Sequence, residues 1–197
     1  MTPAEATTLP RVIDTLCLDL IEDSLDCEQI FLLASESDPD VADLVVLGHR
    51  EARPPSALLL VARGITFNGR MWDDAPSLEQ SEDGHLLVQS QQFGAGRYPW
   101  FETLTLAEHE GHVRIIEYGF SNYGRLDQSG MSCGVDLITG AYSANAFGFD
   151  EPTQTDITLL DEHGHIAPNP VLAEDWDVAV GQMPSPCARA LTLITAN

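Results

Sequence analysis

Thr103-Leu104-Thr105-Leu106-Ala107-Glu108-His109-Glu110-Gly111-His112-Val113-Arg114-Ile115-Ile116-Glu117-Tyr118 is the stretch on which the fold turns. Two β-rich runs, Thr103 to Ala107 and Val113 to Tyr118, flank a polar tip. A polar residue followed by Gly supplies the positive φ angles that a tight hairpin requires. Glu82-Asp83-Gly84-His85 and Glu162-His163-Gly164-His165 have the same local form and also lie between β-rich runs. Three hairpin tips are therefore expected, at 82–85, 109–112 and 162–165.

Working outward, Gln29 to Ser35 and Leu44 to His49 are apolar runs joined by the acidic turn segment Glu36-Ser37-Asp38-Pro39-Asp40. Arg53-Pro54-Pro55 breaks the chain before Ala57 to Phe67, and Asn68-Gly69 gives a turn. Val135 to Thr139 and Ala190 to Thr195 complete the expected strands. Pro10 to about Asp23 reads as a helix. There Val12, Ile13, Leu16, Leu20 and Ile21 recur at helical spacing, and Asp14, Asp19, Glu22 and Asp23 take the other face. Thr8 and Pro10 suit its start. The expected fold is mainly β: an antiparallel sheet meander, as a sandwich or partial propeller, with one N-terminal α-helix. Residues 1–27 form a helical arm and residues 28–197 a single β-rich domain.

Composition excludes several functions. The 197 residues carry 31 Asp plus Glu against nine Arg and no Lys, a formal net charge of −22. Phosphate recognition needs a basic patch, so no nucleic-acid partner is expected. Anionic lipid is disfavoured for the same reason. The longest apolar runs, such as Ala57 to Ala62, fall far short of the ~20 residues of a membrane-spanning helix, so no membrane insertion is expected. A chain that is 44% apolar is not of the disordered class.

The four cysteines, Cys17, Cys27, Cys133 and Cys187, lack C-x-x-C spacing. Local pairing, Cys17 with Cys27 and Cys133 with Cys187, would tie each terminal segment to the body. The alternative is four buried thiols in a cytosolic protein. Met1 to Leu9 lacks the basic and apolar regions of a signal peptide, so the chain reads as cytoplasmic or as a mature exported form.

Gly130-Met131-Ser132-Cys133-Gly134 matches the G-x-S-x-G pattern of serine hydrolases. That chemistry places the Ser on a strained turn between a strand and a helix. Here a polar loop precedes Ser132 and a strand-like run follows, so a loop entering a strand explains the glycines better. His85, His109, His112, His163 and His165 lie in the expected tips, and none falls in an H-E-x-x-H arrangement. They read as exposed turn residues. Asp38, Asp40 and Asp43 supply three carboxylates for a Ca2+ site, the sole cofactor expectation, although the loop lacks a central Gly. The aromatic concentration includes Tyr98, Trp100, Tyr118 and Tyr123, with Phe101 and Phe120. Exposed together such rings mark a binding surface, and buried they are core.

From about Ala57 to Tyr142 the chain resembles a group of uncharacterised secreted or periplasmic bacterial proteins. The resemblance runs through Pro76-Ser77-Leu78, Gly84-His85-Leu86-Leu87-Val88, Ser90 and Trp100. It continues through Thr103-Leu104-Thr105-Leu106, Gly111, Tyr123 and Val135-Asp136-Leu137-Ile138-Thr139-Gly140. Upstream, the acidic loop leading into Asp43-Leu44-Val45-Val46-Leu47 is similar to FG-GAP or VCBS proteins, without their full D-x-N-x-D-G form, extending the likeness to residues 36–142. The resemblance implies export and a β-sheet fold, carries no established activity and assigns no catalytic residues.

Three functions follow as expectations. The first is a non-enzymatic, periplasmic or secreted binding domain. The second is an acidic inhibitor or immunity protein that neutralises a basic toxin or enzyme, its charge accelerating association with a basic protein partner. The third is a hydrolase using Ser132.

Overall fold

The fold was obtained as a computed structural model, which describes residues 2, 7–21, 27–48, 57–69, 74–94, 96–150, 152–153 and 155–195. Among them twelve strands form two antiparallel sheets. The first sheet is a meander of β1 (Val12–Leu18), β2 (Glu28–Ala34), β3 (Val41–Leu47) and β4 (Leu58–Phe67) in chain order. The second is also a meander. It runs through β5 (Ser77–Gln80), β6 (Leu86–Gln92), β7 (Trp100–His109), β8 (His112–Tyr123), β9 (Gly130–Asp136), β10 (Ala141–Asp150) and β11 (Thr155–His165). A short β12 (Val171–Leu172) pairs with β8 at Arg114 and Ile115, beyond the point where β9 leaves it. Two 3-10 turns, Ala173–Asp175 and Val178–Val180, lead to α1 (Ser185–Thr195).

Alternation builds the layers. In β6, Leu86, Val88 and Ser90 are buried, and in β9 Met131, Cys133 and Val135 are buried while Ser132 is exposed. Direct cross-strand register puts Val88, Leu104, Tyr118 and Val135 in one row of the inner face. The next row is Ser90, Glu102, Phe120, Cys133 and Ala144. A single buried cluster joins this face to Ile30, Leu32, Leu44, Val46, Leu60 and Ile65 of the first sheet, so the sheets pack on each other. α1 covers the same face further along, over β9 and β10.

The mainly β, antiparallel class is as expected, and four local readings need correction. The segment read as an N-terminal helix is β1, entered by a 3-10 turn at Leu9–Arg11. It pairs with β2 from Val12↔Leu33 to Leu18↔Glu28, so the arm boundary at residue 27 falls between two paired strands. Exposure alternates through Thr15, Leu16, Cys17, Leu18, Asp19 and Leu20, which is strand periodicity. β-branched Val12, Ile13 and Thr15 favour it, and pairing overrides the coincident helical spacing. Glu22 and Asp23, and the Arg53-Pro54-Pro55 break, lie outside the described residues.

The helix lies instead at the far end, where Ala190 to Thr195 was read as a strand. Ser185-Pro186 starts α1, and Cys187, Ala190 and Ile194 are buried at helical spacing. Of the three expected tips, two are turns. At 109–112, Glu110 and Gly111 have φ of 54° and 79°, the two positive values of a type I′ hairpin. At 82–85, Ser81 closes the turn by donating to the His85 carbonyl at 2.9 Å. The third, at 162–165, is the end of β11, paired with β10. Gly164 is needed there because a Cβ would meet the Tyr142 ring at 2.9–3.1 Å. Of Val135 to Thr139, only Val135 and Asp136 are strand. The rest is a turn closed by the Asp136 carboxylate, which accepts from Ile138 N, Thr139 N and Thr139 Oγ1.

Candidate functional site

The inward phase of β7 is apolar at Leu104 and Leu106, and the same phase places Glu102 among them. Glu102 is 8% exposed. Its Oε1 accepts a hydrogen bond from Tyr118 Oη at 3.0 Å, and its Oε2 has no protein partner. Burial pushes the Glu102 carboxyl above its ordinary range, against the smaller effect of the Tyr118 hydrogen bond. Burial likewise raises the Tyr118 hydroxyl, and the Glu102 charge adds to this.

This pair lines a cavity of about 240 Å³. Phe67 at the end of β4, Trp100 on β7, Phe120 on β8 and Trp176 between the two 3-10 turns supply its rings. Val178 and Gly181 to Met183, just ahead of α1, complete the wall. The cavity thus sits at the seam where the first sheet gives way to α1 as the cover of the second sheet. Ring centroids lie 5.4 Å apart for Phe67–Trp100, 6.1 Å for Trp100–Phe120 and 5.9 Å for Tyr118–Trp176. The buried Trp176 Nε1 also lacks a protein partner. So do Ser90 Oγ, directly across from Glu102, and Asn122 Oδ1, directly across from Trp100. Buried polar atoms are normally satisfied, at a cost of ~1–3 kcal/mol each when they are not, and two of these four, Glu102 Oε2 and Trp176 Nε1, belong to residues that line the cavity.

The other buried carboxylates differ. Glu28 accepts from Leu20 N at 2.7 Å. Asp43 accepts from Arg63 Nη1 at 2.6 Å and Gly64 N at 3.0 Å. Asp74 accepts from Phe93 N and Gly94 N, each at 2.7 Å. Among the described residues, Glu102 is the buried acid that keeps a sealed oxygen without a partner.

Of the aromatic candidates, Trp100 and Tyr118 meet in this cavity. Tyr98 is elsewhere, donating to Asp127 Oδ2 at 2.7 Å and reaching the Ile194 carbonyl at 3.4 Å. Tyr123, at the end of β8, is 48% exposed. Asp38 and Asp40 sit at the β2–β3 turn, where Asp38 Oδ1 accepts from Asp40 N. Asp43 is fully buried on β3 with its two oxygens engaged by Arg63 and Gly64, so the three acids do not share a loop. Among the described residues, no group of three or more His, Cys, Asp or Glu is placed to hold a metal ion. Ser132 stands mid-strand on β9 between Ser121 and Asn145.

The cysteines pair as Cys17–Cys27 and Cys133–Cys187, each with Cα atoms 5.3 Å apart. No helix of the described residues is long and apolar enough to cross a membrane. A larger furrow of about 330 Å³ lies on the outer face over the Gly119–Gly134 pair. Its acids are already engaged, Glu117 by Thr105 and Asp136 by its own turn.

Sequence reasoning missed Glu102, Trp176 and Phe67 as site residues. For Glu102 a signal existed: an acid in phase with Leu104 and Leu106. Trp176 and Phe67 come together through packing across the seam and carry no local mark. Compared with known proteins, the chain matches no family model, no curated protein and no solved structure.

Proposed function

We propose that this protein is a non-enzymatic, extracytoplasmic binding domain whose ligand is a small organic molecule held in the seam cavity. The observation that carries the reading is the buried, half-satisfied Glu102 in an aromatic-lined cavity that Trp176, with its unpartnered N–H, also lines. Apolar walls with a few convergent polar groups are what small-molecule sites have in common. At about 240 Å³ the cavity is below the ~300–1,000 Å³ of drug-sized sites, so the ligand is small. Two disulfides support an oxidising compartment.

The test is a titration of the isotopically labelled chain with a panel of small organic molecules, neutral and charged, following the tryptophan indole N–H signals. At least one compound is expected to shift the Trp176 signal and raise the melting temperature, as a ligand of the native state must. A panel that leaves Trp176 unmoved, or that shifts only residues around the outer furrow, refutes the site. Counting thiols in freshly isolated native protein tests the compartment, and four reactive thiols would overturn it.

A further inference from the structure

We propose that the seam cavity takes an organic monocation, an ammonium group bearing small alkyl substituents and a nearby oxygen, with Glu102 as its counter-ion. This rests on the binding reading above and names its ligand class. The first ground is charge. Glu102 has no ion-pair partner among the described residues: the Arg side chains that form ion pairs engage Glu36, Asp43, Asp127, Glu110 and Glu162 instead. A buried carboxylate without a counter-charge is costly. Tyr118 engages Oε1 alone and leaves the buried Oε2 without a partner, and a ligand ammonium in the cavity supplies the missing positive charge to that carboxylate.

The second ground is the wall. Phe67, Trp100, Tyr118, Phe120 and Trp176 line the cavity together with Glu102. Ring quadrupoles attract cations, most strongly where water is excluded, and Trp is the best of the rings. The third ground is the Trp176 Nε1–H. It is a donor only, so its partner is an acceptor such as a ligand hydroxyl or ether oxygen, not the ammonium. An amino alcohol or a quaternary ammonium alcohol carries both features. The net charge of −22 raises the local concentration of cations around the molecule and disfavours anions.

A cation favours the ionised form of Glu102, so at a pH where the free site holds the proton, that proton leaves as the ligand enters. The groups facing Glu102 are few. Tyr118 on β8 is the titratable one, while Ser90 on β6, Phe67 on β4, Phe120 on β8 and Trp176 carry no charge. Asp177, next to Trp176, spends Oδ1 on the Ala179 amide at 2.8 Å.

The experiment compares choline with its neutral carbon isostere, 3,3-dimethyl-1-butanol. Both are titrated by calorimetry into the full, disulfide-bonded chain at about pH 4.5, where a carboxyl raised above that value is mostly protonated, in two buffers of different ionisation enthalpy. Choline is expected to bind, the isostere at least tenfold more weakly, and only choline to release a proton. Glu102→Gln, checked by circular dichroism, is expected to abolish both the preference and the release. Equal affinities without proton release overturn the cation inference and leave the cavity standing as a ligand site. Heat from neither probe at millimolar concentration overturns the cation inference, while the panel titration followed at Trp176 decides the binding reading. Choline binding unchanged in Glu102→Gln places the cation elsewhere and also overturns the proposal. Should Glu102→Gln not fold, the isostere comparison and proton release on the unaltered chain decide alone.

Discussion

Replacing both members of the Cys133–Cys187 bridge by Ala tests how α1 is held. The helix has eleven residues, shorter than the ~12–15 at which an isolated helix becomes even marginal in water. Its order therefore depends on Pro186, Cys187, Ala190 and Ile194 packing over β9 and β10, and on the covalent tie. The bridge spans 54 residues. Loop-closure entropy for that length is about 14 cal/mol/K, or about 4 kcal/mol at 25 °C. The Cys17–Cys27 bridge spans ten, which by the same relation gives about 2.7 kcal/mol. Urea unfolding of the two double-Ala variants, beside the unaltered chain, should rank them in that order. For a chain of this size the longer bridge corresponds to a fall of about 8–16 °C in melting temperature. Gly181 to Met183 of the cavity wall immediately precede α1, so the same variant should also bind any cavity ligand more weakly. A smaller loss from Cys133/Cys187 than from Cys17/Cys27 would refute this account of the helix and of the wall it supports.

Other perturbations have equally definite outcomes. Asp43→Ala strips the acceptor from Arg63 and from the Gly64 amide and should lower stability by ~1–3 kcal/mol in urea. Chelator or added Ca2+ should leave the melting temperature of the unaltered chain unmoved. Gly140→Ala puts a side chain at φ 78° and against the Ile166 carbonyl, so its urea midpoint should fall by at least the ~1–3 kcal/mol of a strained backbone. Acid titration should show two carboxyls of opposite sign. Burial opposes it, but hydrogen bonds from Tyr98, Ser129 and Arg97 hold the Asp127 carboxyl far below its ordinary 3.8. Its contribution is therefore present above that value and lost on acidification below it, and Asp127→Asn should flatten that limb. Burial raises Glu102 above its ordinary 4.5, so its protonated form favours the native state and stability declines as pH rises past that value. Glu102→Gln should remove this decline, as measured by melting temperature from about pH 5 to about pH 8.

The β-sheet class was legible because turn chemistry is local. Glu110-Gly111 can occupy a two-residue turn with both φ angles positive, and the flanking β-rich runs then have to pair. The same logic failed at His163-Gly164, where glycine makes room for the Tyr142 ring rather than for a turn. The signature of a tight turn and that of a close side-chain approach are the same residue, and only the partner strand distinguishes them. Both ends of the chain misled for a related reason. Val12 to Ile21 satisfies a helical and a strand spacing at once, and pairing with β2 selects the strand. Ala190 to Thr195, read without its start, hides the Cys187, Ala190 and Ile194 stripe that makes it a helix. The cavity was half legible. Trp100 and Tyr118 stood out by residue type, whereas Phe67 and Trp176 are 109 residues apart and meet only across the seam.

The strongest argument that the seam is a functional place comes from comparing acids that share the same burial. Glu28, Asp43 and Asp74 are each sealed in the molecule and each answered by main-chain amides, with Arg63 added at Asp43. They fix a strand, a bulge and a turn, and their carboxylates are explained by the structure they hold. Glu102 holds no main-chain amide and fixes no turn. Its one hydrogen bond comes from Tyr118 on the adjacent strand. Stability alone would favour an apolar side chain at 102, continuing the row of Leu104 and Leu106 against the first sheet, since well-packed apolar residues commonly equal or exceed buried ionisable ones. A carboxyl that the fold does not use, lining one cavity with aromatic rings and an unanswered indole N–H, is the group that the proposed ligand would engage.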